Sequence, residues 1–207
     1  MSGLLNQIRK GDNKRVVVLI RHGETEMNEE NLSRGWSETA LDAKGERHSK
    51  TLGRQLKHYS VDGICASDLM RTMQTALEVS KESGIPIIGL YSNLHTWKLG
   101  SYEGKPTDEI DPILERLAVE EPEKEIKGGE SFNNFKFRFL LQVVSLLNSN
   151  PGMTLALVVH GRNLAVFNAW QEAGYPDDLE VSTDDLGYED FKNGMAYVFE
   201  VDSNLLT

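Results

Sequence analysis

The apolar residues of this chain fall into two alternating patterns: short unbroken runs, and longer segments with apolar positions three or four apart. Val16-Val17-Val18-Leu19-Ile20 is the first run. It is rich in β-branched residues and ends in a polar cluster, the pattern of a buried strand over 15–20. Residues 64–66, 85–88, 154–159 and 195–201 are read as further extended pieces. Helical spacing fills the gaps. One helix starts near Asp42 and runs through Leu52 and Leu56 to about His58. The next, capped by Ser67, carries Leu69, Met73, Ala76, Leu77 and Ser80, and stops at Gly84. A long amphipathic helix opens at Gly128-Gly129-Glu130-Ser131, carries Phe135, Phe139, Val143 and Leu146, and is stopped by Asn148–Gly152. Another runs from residue 161 to about Gly174. Strands alternating with helices predict an α/β protein: a three-layer α/β/α sandwich, its central sheet mostly parallel with right-handed crossovers.

Three stretches break the alternation. Residues 1–14 are polar and read as an N-terminal leader ahead of a single domain, 15–207. Residues 94–130 are charged and interrupted by Pro106, Pro112 and Pro122. They read as a lid-like insertion over a site, helical over 109–118. Residues 177–190 are acidic and turn-rich, and read as a solvated loop.

At 207 residues the chain suits one well-filled core. Its net charge of −10 argues against a nucleic-acid partner, which wants a basic footprint. The N-terminus is too polar for a signal peptide and no run reaches membrane-spanning length, so no membrane partner is expected. The single cysteine, Cys65, excludes an intramolecular disulfide and fits a reducing, cytoplasmic compartment. It lies in an apolar run and reads as a buried, inert thiol.

The candidate chemistry sits where strands end. The first strand runs into Arg21-His22-Gly23, and the 154–159 strand runs into His160-Gly161. Ligands in open α/β sheets bind beyond the carboxyl ends of strands. Neighbouring parallel strands would therefore bring His22 and His160 into one crevice. A third strand end supplies Ser67-Asp68-Leu69-Met70-Arg71, which puts Arg71 in the first turn of a helix, a place that favours anions. Two histidines with Arg21 and Arg71 make a compact cationic pocket suited to a phosphoryl group. A histidine attacking phosphorus would form a phosphohistidine, and the arginines would stabilise the transition-state charge.

These residues, with Glu24, Asn28, Gly35-Trp36, Leu41, Gly45, Thr75 and Gly129-Glu130-Ser131, stand in the order and spacing of a known family. Over residues 15–165 the chain resembles the histidine phosphatase superfamily, also called phosphoglycerate mutase-like. The resemblance implies that His22 is the phosphorylated nucleophile, that Arg21, Arg71 and His160 complete the phosphate pocket, and that Asn28 contacts it. It implies no metal, nucleotide or other cofactor.

The chain departs from the family pattern in three places. The family's carboxylate acid aligns with Thr96, within Leu94-His95-Thr96-Trp97-Lys98-Leu99-Gly100. Threonine does not protonate an alkoxide at neutral pH. The acid is then replaced by His95, Glu103 or Glu130, or is not needed. Arg34 stands before Gly35-Trp36 where related mutases carry Ser or Thr. Arg162 follows His160-Gly161 where a smaller or neutral residue is usual. Arg34, Gly161 and Arg162 therefore join Asn28 as substrate-binding candidates, and the two arginines suit a second anionic group. The bland alternative has both paired with surface acids. The stretch from Gly104 to Gly128 is shorter and more acidic than the insertion of cofactor-dependent mutases, which favours hydrolysis.

The expected function is a phosphatase acting on a small phosphorylated molecule or a phosphorylated protein side chain. The alternatives are a phosphohistidine or acyl-phosphate phosphatase, a catalytically silent phospholigand-binding domain, and a phosphoglycerate mutase-type phosphotransferase.

Overall fold

The computed structural model describes residues 15–201, the side chain of Glu189 excepted. The expected leader at 1–14 lies outside the described residues. In chain order the elements are β1 (Arg15–Arg21), the one-turn α1 (Glu26–Glu29), α2 (Ala43–Leu56), β2 (Gly63–Ala66), α3 (Met70–Ser83), β3 (Ile87–Leu90), α4 (Thr107–Val119), α5 (Phe132–Ser149), β4 (Leu155–Val159), α6 (Gly161–Glu172) and β5 (Ala196–Val201). The sheet runs β3-β2-β4-β1-β5. Every pairing is parallel except β1 with β5.

Strand side chains alternate between two cores, as a sheet covered on both faces requires. Val18 and Ile20 of β1 join Leu52 and Leu56 of α2 and Ala76 and Val79 of α3. Val17 and Leu19 point the other way, into a larger core with Ile110 and Leu114 of α4, Phe135 and Phe139 of α5, and Phe167 of α6. The expected three-layer sandwich is thus the observed one. Its boundaries agree where a cap sets them. Asp42 accepts from the Gly45 amide at the start of α2, Ser131 accepts from the Asn134 amide at the start of α5, and Gly84 ends α3 in the left-handed conformation.

Two local expectations change. Ser67 does not cap α3: it still belongs to the strand exit, its amide bonded to the Val158 carbonyl at 3.0 Å. The helix begins two residues later behind Leu69, with no side-chain cap. The segment 177–190 is not simply a solvated loop. It folds back toward the end of β1, where the Tyr188 and Phe191 carbonyls accept bonds from Arg21 at 3.2 and 2.5 Å. Within 94–130, Leu94, Trp97, Leu99, Ile110, Leu114 and Ile126 are all buried in the larger core, so that stretch is anchored by packing. Cys65 is buried and free, its thiol pushed up to about 11 by burial, which keeps it inert.

Candidate active site

Strand register builds the site. Arg21 is paired with Val159 across β1 and β4, so the next residue on each strand, His22 and His160, emerges beside the other. Their ring centroids are 5.3 Å apart. The His22 amide bonds the Val159 carbonyl at 3.0 Å, and Asn193 Nδ2 donates to the His22 carbonyl at 3.0 Å. The turn after His22 needs glycine on both sides of a close contact. A Cβ on Gly23 would lie 2.7 Å from the Gly45 carbonyl oxygen, and one on Gly45 would lie 2.2 Å from the Glu24 oxygen. Gly23 N–H is in turn held by Thr75 Oγ1 at 2.9 Å.

His22 Nδ1 lies 2.7 Å from the Gly23 carbonyl oxygen. A carbonyl only accepts, so Nδ1 carries the proton and Nε2 is left with its lone pair. Burial, then the Arg71 charge, push both His22 and His160 well below the usual imidazole range. Both rings are therefore neutral at pH 7. His160 Nε2 sits 3.0 Å from Ser67 Oγ.

Three of the cations, Arg21, Arg34 and Arg71, are fixed through backbone carbonyls rather than carboxylates. Arg71 is 1% exposed, and its Nη1 and Nη2 donate to Ser37 and Gly35 carbonyls, both at 2.8 Å. Burial, and then Arg34, lower it to about 9. Arg34 Nη1 donates to the Leu32 and Met27 carbonyls at 2.9 and 3.3 Å, and burial followed by Arg21 lowers it to about 10. The Nε atoms of Arg21 and Arg71 and Nδ1 of His160 are buried with no hydrogen-bond partner. Buried unsatisfied donors are costly, and an anion among them would remove that cost. Arg21, His22, Arg34, Arg71, Thr96, His160, Gly161, Arg162 and Tyr188 enclose a cavity of about 40 Å³. That volume suits a small anion, not a whole sugar or nucleotide.

Residues 17–180 match the model of the histidine phosphatase superfamily (branch 1). The chain belongs to the histidine phosphatase superfamily. It is 32% identical over 149 residues to the "Probable phosphoglycerate mutase GpmB" of Salmonella choleraesuis, covering 70% of this chain and 69% of that protein. Among solved structures it resembles Bacillus stearothermophilus YhfR, at 27% identity and a TM-score of 0.71, over 91% of this chain and 92% of the other. It also resembles the mycobacterial glucosyl-3-phosphoglycerate phosphatase Rv2419c, at 25% identity and a TM-score of 0.66, over 76% of this chain and 79% of the other. The neighbourhood of this histidine phosphatase relative thus includes both phosphatase-named and mutase-named proteins.

The expected site residues separate into three groups. His22, His160, Arg21, Arg71, Arg34, Gly161 and Arg162 all line the small cavity. Asn28 does not line it. Its Oδ1 accepts from Thr25 N at 3.2 Å and Thr25 Oγ1 at 2.8 Å, closing a capping box on α1. Asn28 lines instead a larger neighbouring cavity of about 590 Å³. Arg162 is paired with Asp111 at 2.7 Å and lies over the Tyr188 ring, 4.5 Å from its centroid.

None of the three proton-donor candidates lines the small cavity. Glu103 accepts from Trp36 N and Ser37 Oγ, both at 2.9 Å. Glu130 accepts from Arg138 Nη2 at 2.6 Å and from the Lys98 amide at 2.8 Å. His95 Nε2 bonds Asp68, and its ring packs edge-on against Trp36 with centroids 4.6 Å apart. Thr96, at the position where a carboxylate is expected, does lie on the cavity wall.

Sequence reasoning missed Tyr188, Asp111 and Asn193. They reach the site from α4 and from the chain after α6. Asn193-Gly194 was readable as a turn, but nothing local linked it to His22.

Proposed function

We propose that the chain hydrolyses phosphomonoesters through a phosphohistidine on His22. The observation that carries this reading is the His22 ring: Nδ1 bonded to the Gly23 carbonyl, Nε2 unprotonated, in a small cavity walled by four guanidinium groups. In the first half-reaction, Nε2 attacks phosphorus, the P–N bond forms, and the P–O bond to the leaving group breaks. The leaving oxygen takes a proton from water or substrate. In the second half-reaction, water attacks the phosphorus, one of its protons stays on the released phosphate and the other returns to solvent, offsetting the one the leaving oxygen took, and the P–N bond returns its electron pair to Nε2. Arg21 and Arg71 neutralise charge on the non-bridging oxygens in both steps.

Thr96 favours a second reading within the same chemistry. With no carboxylic acid on the cavity wall, a leaving group that needs no proton is handled best. An acyl phosphate or a phosphohistidine fits that requirement. The mutase-named relatives keep a third outcome in view, phosphoryl transfer to another oxygen of the substrate.

The test compares an activated aryl phosphate with an alkyl phosphate, using wild type and His22→Ala, with release of inorganic phosphate as the readout. Aryl turnover lost by about a thousandfold or more in His22→Ala, with acid-labile, alkali-stable radiolabel trapped on wild type by an alkaline denaturing quench, supports the phosphohistidine route. Isomerised phosphoester without free phosphate points to a mutase. Phosphate binding with no turnover of either ester leaves a silent binding domain as the better account.

A further inference from the structure

His22 and His160 stand side by side, and each has one ring nitrogen held by the protein. For His22 it is Nδ1, against the Gly23 carbonyl. For His160 it is Nε2, 3.0 Å from Ser67 Oγ. The two contacts differ in kind, because a carbonyl only accepts whereas a hydroxyl both donates and accepts. The surroundings of Ser67 decide which it does. Its side chain is buried, and the Leu69 amide, 3.5 Å from Oγ, only donates. Among the described residues His160 Nε2 is then the acceptor within reach of the Ser67 hydroxyl hydrogen. A proton on Nε2 would leave that hydrogen buried with nowhere to go, which is costly. Burial and the Arg71 charge keep the ring neutral at pH 7, so its one proton falls to Nδ1. Nδ1 is itself buried with no hydrogen-bond partner, on a ring that lines the small cavity.

We infer that Ser67 is a positioning residue: its hydroxyl donates to His160 Nε2, so that the ring proton is carried on Nδ1 and presented to a phosphoryl oxygen in the small cavity. The phosphoryl half of this statement rests on the phosphomonoester reading, and the placement of the proton does not. The two histidines then carry their protons on the same nitrogen and make opposite use of it. His22 keeps a lone pair free to attack phosphorus, and His160 keeps an N–H free to hold an oxygen of the group under attack. The other His160 tautomer would face that oxygen with a second lone pair, replacing attraction by repulsion. Ser67 does not itself line the cavity, so it acts through His160. The sheet sets its place. Ala66 of β2 pairs with Val158 of β4, and the next amide, that of Ser67, bonds the Val158 carbonyl at 3.0 Å. The Ser67 carbonyl accepts from Thr72 Oγ1 at 2.8 Å, which ties the strand exit to the start of α3.

The test reads the proton directly. Long-range proton–nitrogen correlation spectra at neutral pH distinguish a protonated from an unprotonated ring nitrogen, and the His160 signals are identified by their loss in His160→Gln. Wild type without ligand is expected to show His160 protonated at Nδ1 and unprotonated at Nε2. In Ser67→Ala the proton is expected to be shared between the two nitrogens or to move to Nε2. The same variant should bind inorganic phosphate about tenfold or more weakly by titration calorimetry. Ser67→Thr keeps the hydroxyl, and should keep the wild-type tautomer and recover most of the affinity. A purely structural role for Ser67 would weaken phosphate binding without moving the ring proton. A protonated Nε2 in wild type, or a proton that stays on Nδ1 in Ser67→Ala, would each overturn the assignment. Phosphate affinity unchanged after the proton has moved would overturn the contact from Nδ1 to the phosphoryl oxygen. Failure of the phosphomonoester reading shows up separately, as a wild type with the expected tautomer that neither binds phosphate nor hydrolyses an aryl phosphate.

Discussion

The two cavities that meet at Arg34 are built from different parts of the chain. The small one is made chiefly from strand exits and the helix starts that follow them: His22 after β1, Arg71 in the first turn of α3, His160 between β4 and α6. Its groups are held by paired strands and backbone carbonyls, and their hydrogen bonds leave little freedom. The large one is made mainly from loops and the outer face of α2, with Asn28, Asn31, Thr51, Gln55 and Asn193 on its wall. Groups that need fixed geometry are best placed on such a rigid frame, while the larger cavity is lined by the kind of segment that varies most easily.

Arg71 offers the sharpest way to break that contrast, because it serves the rigid cavity through two bonds to backbone carbonyls. Arg71→Gln is expected to lower kcat/KM for an aryl phosphate by about 10²–10³, with kcat falling more than KM rises. Arg71→Lys, which keeps the charge but not the fork, should fall between. An Arg71→Gln enzyme within a few-fold of wild type would remove this residue from the transition-state account.

A smaller effect tests the missing acid. Thr96→Asp puts a carboxyl on the cavity wall, at the position where the family pattern carries one. The ratio of alkyl to aryl ester kcat/KM is expected to rise about tenfold or more, since only the alkyl leaving group gains from a proton donor. A bell-shaped pH profile should appear with it. An unchanged ratio would mean that the proton already comes from elsewhere.

The smallest expected effect concerns pH and stability. Burial and Arg71 hold His22 and His160 well below the ordinary imidazole value of 6.5. The unfolded chain takes up protons at these two positions below about pH 6.5, whereas the folded chain does not. Folding stability is therefore complete above that pH and is lost as pH falls. Urea titrations at about pH 7.5 and about pH 5 should show a smaller loss for His160→Gln than for wild type, by about 1 kcal/mol. An identical loss in both would mean that His160 is protonated in the folded protein as readily as in the unfolded one.

Much of this architecture was legible in one dimension. The run Val17–Ile20 is buried on both faces, so it had to be continuously apolar, and continuous runs can be read. The caps at Asp42 and Ser131 and the stop at Gly84 are local hydrogen-bond and dihedral requirements, and each was visible as a residue type. Ser67 misled because its residue type suits a cap, while the strand exit extended two residues further and gave its hydroxyl to His160. Asn28 uses its Oδ1 locally, in the capping box with Thr25, and lies on the wall of the larger cavity.

The sequence by itself determined which groups the strand ends would present, because strand burial and helix starts depend on neighbours a few residues apart. It therefore brought His22, His160, Arg21 and Arg71 forward as one set. Only the tertiary structure decided how the charges are balanced. Asp111 reaches Arg162 across 51 residues, Tyr188 reaches back across 167 residues to Arg21, and Arg34 bonds the Leu32 and Met27 carbonyls. Ion pairing falls steeply with distance and desolvation depends on everything packed around a group. Neither quantity exists until the chain has closed.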